Sequence, residues 1–92
     1  MKRIYVFTTK NCPMCDQLKG MLVDEKLSFF EKDVETYEEQ YLPILQQSGL
    51  DLVPAVEIRD STKEVSRYLV PDRDFKHLNA CMQLIKEELK AV

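Results

Sequence analysis

Four consecutive β-formers, Ile4-Tyr5-Val6-Phe7, set the hydrophobic pattern at the start of the chain. An unbroken apolar run reads as a strand buried on both faces, which puts residues 2–8 inside a parallel or mixed sheet. After the polar stretch Thr8 to Asn11 the period changes. Met14, Leu18, Met21 and Leu22, with Cys15 on the same side, recur at spacings of three and four. That spacing predicts a helix over 13–26. Pro13 suits its first turn, where the missing N–H would be unsatisfied anyway. Gly20 falls mid-helix, at a cost of about 1 kcal/mol relative to Ala, and is read as a point of close packing on the sheet. Residues 27–34, centred on Phe29 and Phe30, read as the second strand. Thr36-Tyr37-Glu38-Glu39 has the pattern of a capping box and opens a predicted helix over 37–48, with Tyr41, Ile44 and Leu45 inward. Pro43 should kink or divide that helix. Ser48-Gly49 should close it, with Gly as a left-handed cap.

Val53 to Ile58 reads as the third strand, and Pro54 belongs at its first residue or on an edge because it cannot donate to the ladder. Asp60 to Lys63 is a turn, and residues 64–70 return as the second half of a hairpin. A last helix is predicted over 73–91, capped by Asp72 or Asp74. Its core stripe is Phe75, Leu78, Cys81, Met82, Ile85 and Leu89. The order is βαβ, helix, β-hairpin, helix. A right-handed crossover makes the first two strands parallel, and the hairpin adds antiparallel ones. The expected class is α/β, a four-stranded mixed sheet with three helices packed on both faces.

Composition narrows the function. The chain has 92 residues, which is read as one domain, 1–92. Hydrophobic residues make up 45% and charged residues 32%, the profile of an ordinary globule. The net charge of −3 is spread as mixed signs with no basic stripe, so nucleic acid is not an expected partner. No apolar run nears the ~20 residues needed to span a bilayer. The first residues lack a signal peptide's apolar core. A cytoplasmic location, no membrane partner and a monomer are expected.

The chemistry gathers on the cysteines. There are three, Cys12, Cys15 and Cys81, an odd and low count that does not fit a secreted disulfide scaffold. Cys12 and Cys15 stand three apart where the first strand hands over to the first helix. Free N–H groups and the dipole at a helix start favour a thiolate on Cys12. Lys10 adds positive charge, and Pro13 and Met14 shape the turn. Cys15 lies one turn further in. That arrangement suits dithiol exchange: Cys12 attacks a substrate disulfide, and Cys15 resolves the mixed disulfide. A zinc or iron–sulfur carrier is an alternative from another class, and Cys12, Cys15, His77 and Cys81 would supply four zinc ligands. The last helix is not expected to reach the Cys12 loop, however. Cys81 is read as a small buried hydrophobe and His77 as a solvated helix residue.

These residues resemble a family. An apolar first strand leads into Cys12-Pro13-Met14-Cys15, Asp33 closes the second strand, and Ser48-Gly49 precedes Val53-Pro54. Together with the element order, this is similar to the glutaredoxins of the thioredoxin-like superfamily, over nearly the whole chain. The resemblance implies a thioredoxin-like fold and a glutaredoxin-type thiol–disulfide oxidoreductase, with Cys12 and Cys15 catalytic. It implies that Pro54 is cis and faces the cysteines, and that the backbone of Val53 pairs with a substrate peptide or glutathione. It also implies that Lys10, Pro13, Met14 and Asp72 line that substrate site. No bound cofactor or metal is implied; glutathione would be a co-substrate. The partners implied are a disulfide-containing protein or glutathione. A dedicated electron donor recharged by thioredoxin reductase is the other reading. The chain departs from the family's pattern twice. Pro-Met replaces the usual Pro-Tyr between the cysteines, and the stretch Ser66 to Asp74 stands where a Gly-Gly pair and then an acidic residue are usual, with no Gly-Gly in it. Arg67, Arg73 and the start of the last helix remain candidates for holding a carboxylate.

Overall fold

The computed structural model describes residues 2–90. Its elements are β1 Lys2–Thr8, α1 Pro13–Asp24, β2 Phe30–Asp33, α2 Glu38–Ser48, β3 Ala55–Asp60, β4 Val65–Leu69 and α3 Leu78–Lys90. The strands form one sheet in the order β2-β1-β3-β4. β1 and β2 are parallel, with Val6 opposite Glu31. β3 is antiparallel to β1, with Phe7 opposite Ala55, and β4 is antiparallel to β3, with Val56 opposite Leu69. This is the expected four-stranded mixed sheet, with helices on both faces.

Alternation along the strands divides the core in two. Ile4, Val6, Val56, Ile58 and Leu69 point to one face, where they meet Leu18 and Leu22 of α1 and Leu78, Cys81, Met82 and Ile85 of α3. Phe7 and Ala55 point to the other, against Tyr41 and Ile44 of α2. Fully burying a Leu or Ile side chain contributes roughly 1.5–3 kcal/mol, so these stripes fix the helices on the sheet. The predicted stripe of the last helix is buried from Leu78 on, as Leu78, Cys81, Met82 and Ile85 with Leu89 packed against them; Phe75 is buried too, but in the segment before the helix.

Local chemistry moves several predicted boundaries. β2 starts at Phe30, three residues late, because the N–H of Leu27 is committed to the carbonyl of Leu22 at the end of α1. The capping box does not form. Tyr37 is the N-cap of α2 and makes no side-chain cap, while the Asp33 carboxylate accepts the N–H groups of Glu35 and Thr36. Pro43 does not divide α2, which runs on through it to Ser48. Its ring is exposed, and the bond it forgoes would have gone to Glu39 in the solvated first turn. Gly49 does close α2 in the left-handed region, at φ 69°. Gly20 faces open space, so it serves no close approach. Val65, though apolar, is 57% exposed at the start of β4.

The largest correction is α3, which begins at Leu78 and not near residue 73. Neither Asp72 nor Asp74 caps it. Asp74 accepts the N–H of Val70 at 2.8 Å and pairs with Arg73, which holds it in the connecting turn. Asp72 adopts a positive φ of 73° and pairs with Lys76. The cap is His77, whose Nδ1 accepts the N–H of Ala80 at 3.2 Å.

Candidate active site

The register of the sheet brings the predicted site residues to one end. β1 runs into the loop 9–12 and then α1. Because Phe7 faces Ala55, the Val53-Pro54 segment emerges beside that loop, and because Val56 faces Leu69, the segment after β4 emerges there too. The Val53–Pro54 peptide bond is cis, as the resemblance implied. Pro54 is fully buried and Val53 packs against the second core cluster.

Cys12 is the N-cap of α1, with extended backbone angles (φ −112°, ψ 96°). The N–H of Cys15 donates to its sulfur at 3.1 Å. Its carbonyl accepts the N–H of Asp16, the first bond of the helix. Pro13 holds the first helical position and, like Lys10 and Met14, is exposed. Asn11 sits in the left-handed region at φ 57°, turning the loop sharply into Cys12. Cys12 and Cys15 are joined by a disulfide. Their burial differs: Cys12 is partly exposed, whereas Cys15 is 1% exposed and packs with the core.

The four-ligand zinc set does not assemble. Cys81 is wholly buried among the core residues of α3. Among the described residues no group of three or more His, Cys, Asp or Glu side chains is placed to hold a metal ion. Burial pushes the Cys81 thiol up to about 12, which keeps it protonated and unreactive.

These features agree with what the chain resembles among known proteins. A family model for glutaredoxin matches residues 4–62, more than half of the sequence. The chain belongs to the glutaredoxin family. Solved structures give the same fold at low identity. The glutaredoxin from Brucella melitensis aligns with a TM-score of 0.57 at 20% identity, covering 95% of this chain and 85% of that one. The thioredoxin-like protein BC3987 aligns with a TM-score of 0.62 at 21% identity, covering 89% and 99%. The oxidised thioredoxin from Plasmodium falciparum aligns with a TM-score of 0.62 at 17% identity, covering 95% and 80%. At these identities the likeness shows a thioredoxin-like fold. No curated protein matches the chain in sequence. Family membership and the Cys12–Cys15 pair together support thiol–disulfide oxidoreductase chemistry in general.

Within this glutaredoxin the departures from the family's pattern have structural consequences. Val70, in the stretch that lacks a Gly-Gly pair, is fully buried and packs with Phe7 and Tyr41. Arg73 reaches the carbonyl of Tyr68 at 3.0 Å and the carboxylate of Asp74, and Arg67 pairs with Glu88. Arg73 is therefore engaged within the protein at two points, and Arg67 makes one exposed pair.

Two positioning features escaped the sequence reading. The Tyr41 hydroxyl donates to Asp51 at 3.0 Å, tying α2 to the segment that leads into Val53-Pro54. Burial, then the bond to Asp51, pushes the Tyr41 phenol up. From the middle of α1 and the end of β1, Lys19 and the buried Thr8 hydroxyl both donate to Glu31 of β2. The Lys19 bond holds the Glu31 carboxyl below its ordinary value. Tyr41 read only as a packing residue, because an acceptor ten residues away leaves no periodic signal.

Proposed function

We propose that this glutaredoxin is a dithiol oxidoreductase in which Cys12 is the nucleophile and Cys15 the resolving thiol. The reading rests on one observation above all. Cys12 caps α1 with its sulfur, and the N–H of Cys15 points at it. When the pair is reduced, that N–H and the helix dipole favour negative charge on Cys12. Cys15, almost without exposure, can reach only a partner already attached to Cys12.

The cycle balances as follows. The Cys12 thiolate attacks one sulfur of a substrate disulfide, a Cys12–substrate bond forms, and the other substrate sulfur leaves as a thiolate. Cys15 then loses its proton and attacks the Cys12 sulfur. The intramolecular disulfide forms and the second substrate thiolate leaves. Two electrons pass from the dithiol to the substrate. Two thiol equivalents from a reductant restore the dithiol. Lys10, Pro13, Met14, the Val53 backbone, Pro54 and Asp72 form the substrate side of the site, and the low cysteine count suits a reducing, cytoplasmic setting.

The substrate is a protein disulfide or a glutathione mixed disulfide. The buried Val70 and the engaged Arg73 favour a second reading of the reductant, in which a thioredoxin reductase, not glutathione, recharges the pair. Turnover assays with each variant test the core claim. Cys12→Ser should abolish disulfide reduction, and Cys15→Ser should accumulate a covalent adduct on Cys12. Retained turnover in Cys12→Ser contradicts the assignment.

A further inference from the structure

Outside the cysteine pair, α1 and the start of α3 enclose a groove of about 610 Å³, open to solvent. Met14, Gln17 and Met21 form one wall, and Lys76, His77 and Asn79 the other. The methionines give it a soft apolar floor that adapts to different side chains. Met14 is 45% exposed. The lining carries a cation, Lys76, and no carboxylate. Lys76 pairs with Asp72 at 2.6 Å, yet its side chain keeps 73% exposure. Exposed pairs of this kind are weak and yield to a competing carboxylate.

The groove is continuous with the proposed reaction centre. Any disulfide on the Cys12 sulfur lies over the turn Cys12-Pro13-Met14, and Met14 is itself part of the groove wall. Met14 and Met21 are seven positions apart on one helix, roughly 10 Å of rise. A small disulfide ends short of that distance, whereas a polypeptide chain covers it.

Resting on the exchange reading above, the geometry points to this groove as the docking channel for the polypeptide flanking a protein substrate's disulfide. The flank places an apolar side chain between Met14 and Met21 and an acidic one at Lys76. The occupant is thus a protein disulfide with a mixed apolar and acidic flank.

Single-turnover rates of the fully reduced protein test this with three probes. Two are peptides with one intramolecular disulfide each, identical except for a Leu-Glu-Glu or a Leu-Lys-Lys flank. The third is bis(2-hydroxyethyl) disulfide. The wild-type protein should favour the acidic peptide by about threefold, and Lys76→Gln should erase that preference. Gln17→Trp, which fills the groove from an exposed position, should slow both peptides about fivefold. The small disulfide should react at the wild-type rate in both variants. Peptide rates unchanged in both variants, or an equal slowing of the small disulfide, would overturn the proposal. Failure of the exchange reading looks different: the reduced wild-type protein would consume none of the three probes, and the groove would fall with it.

Discussion

The backbone N–H of Cys15 points at the sulfur of Cys12 from 3.1 Å, so the helix start that carries the pair also solvates its outer member. The inner member is shut into the core at 1% exposure. The proposed division of labour between the two thiols rests on that asymmetry.

Tyr41 anchors the segment before Val53-Pro54 through its bond to Asp51, while its ring packs against Phe7 at 5.5 Å. Tyr41→Phe keeps the ring and removes the bond. Equilibrium unfolding should show a loss of about 1–2 kcal/mol. Turnover should fall more through KM than through kcat, since the proposed role of the loosened segment is to hold substrate and not to react. With Tyr41 intact, Asp51→Asn, whose side-chain carbonyl still accepts the phenol's hydrogen bond, should retain most of both.

Cys81 and Tyr41 make the fold sensitive to alkali. Both are acids whose neutral form burial favours, so their folded pKa values lie above the unfolded ones. Their contribution is complete below the unfolded values and is lost as pH rises through the folded ones. Urea midpoints should therefore fall progressively above about pH 9, the ordinary range of the Cys81 thiol, toward 12. Cys81 alone accounts for a drop on the order of 2–4 kcal/mol, and Cys81→Ala should flatten the decline. At pH 8 the native reduced protein should alkylate at Cys12 and leave Cys81 untouched until it unfolds.

The cap of α3 is an imidazole nitrogen, not a carboxylate. His77→Ala should cost about 0.5–1 kcal/mol in urea unfolding, and His77→Ser should recover it. Substituting Asp74 has a different signature. It leaves the Val70 N–H without its acceptor, so Asp74→Ala should destabilise the protein more than His77→Ala does.

Much of this was legible in the sequence because the strongest signals were periodic or positional. The apolar run of β1, the stripe of α3 and the change of period at Pro13 gave the element order. The Cys12-Pro13-Met14-Cys15 junction and Val53-Pro54 marked the candidate site. What escaped depended on competition among polar groups. Asp33, and not Thr36, took the backbone donors ahead of α2. Asp74 was claimed by Val70 and Arg73, which passed the cap of α3 to His77. Tyr41 and Glu31 found partners across the fold. Each of these pairings has several plausible acceptors in the sequence, and only the three-dimensional register selects one.

Titration of the reduced protein by thiolate absorbance near 240 nm tests the central claim most directly. One thiol should ionise well below the ordinary thiol range. That transition should vanish in Cys12→Ser and persist in Cys15→Ser. A low transition that disappears with Cys15 instead, or the absence of any low transition in the wild-type protein, would contradict the assignment of Cys12 as the activated nucleophile.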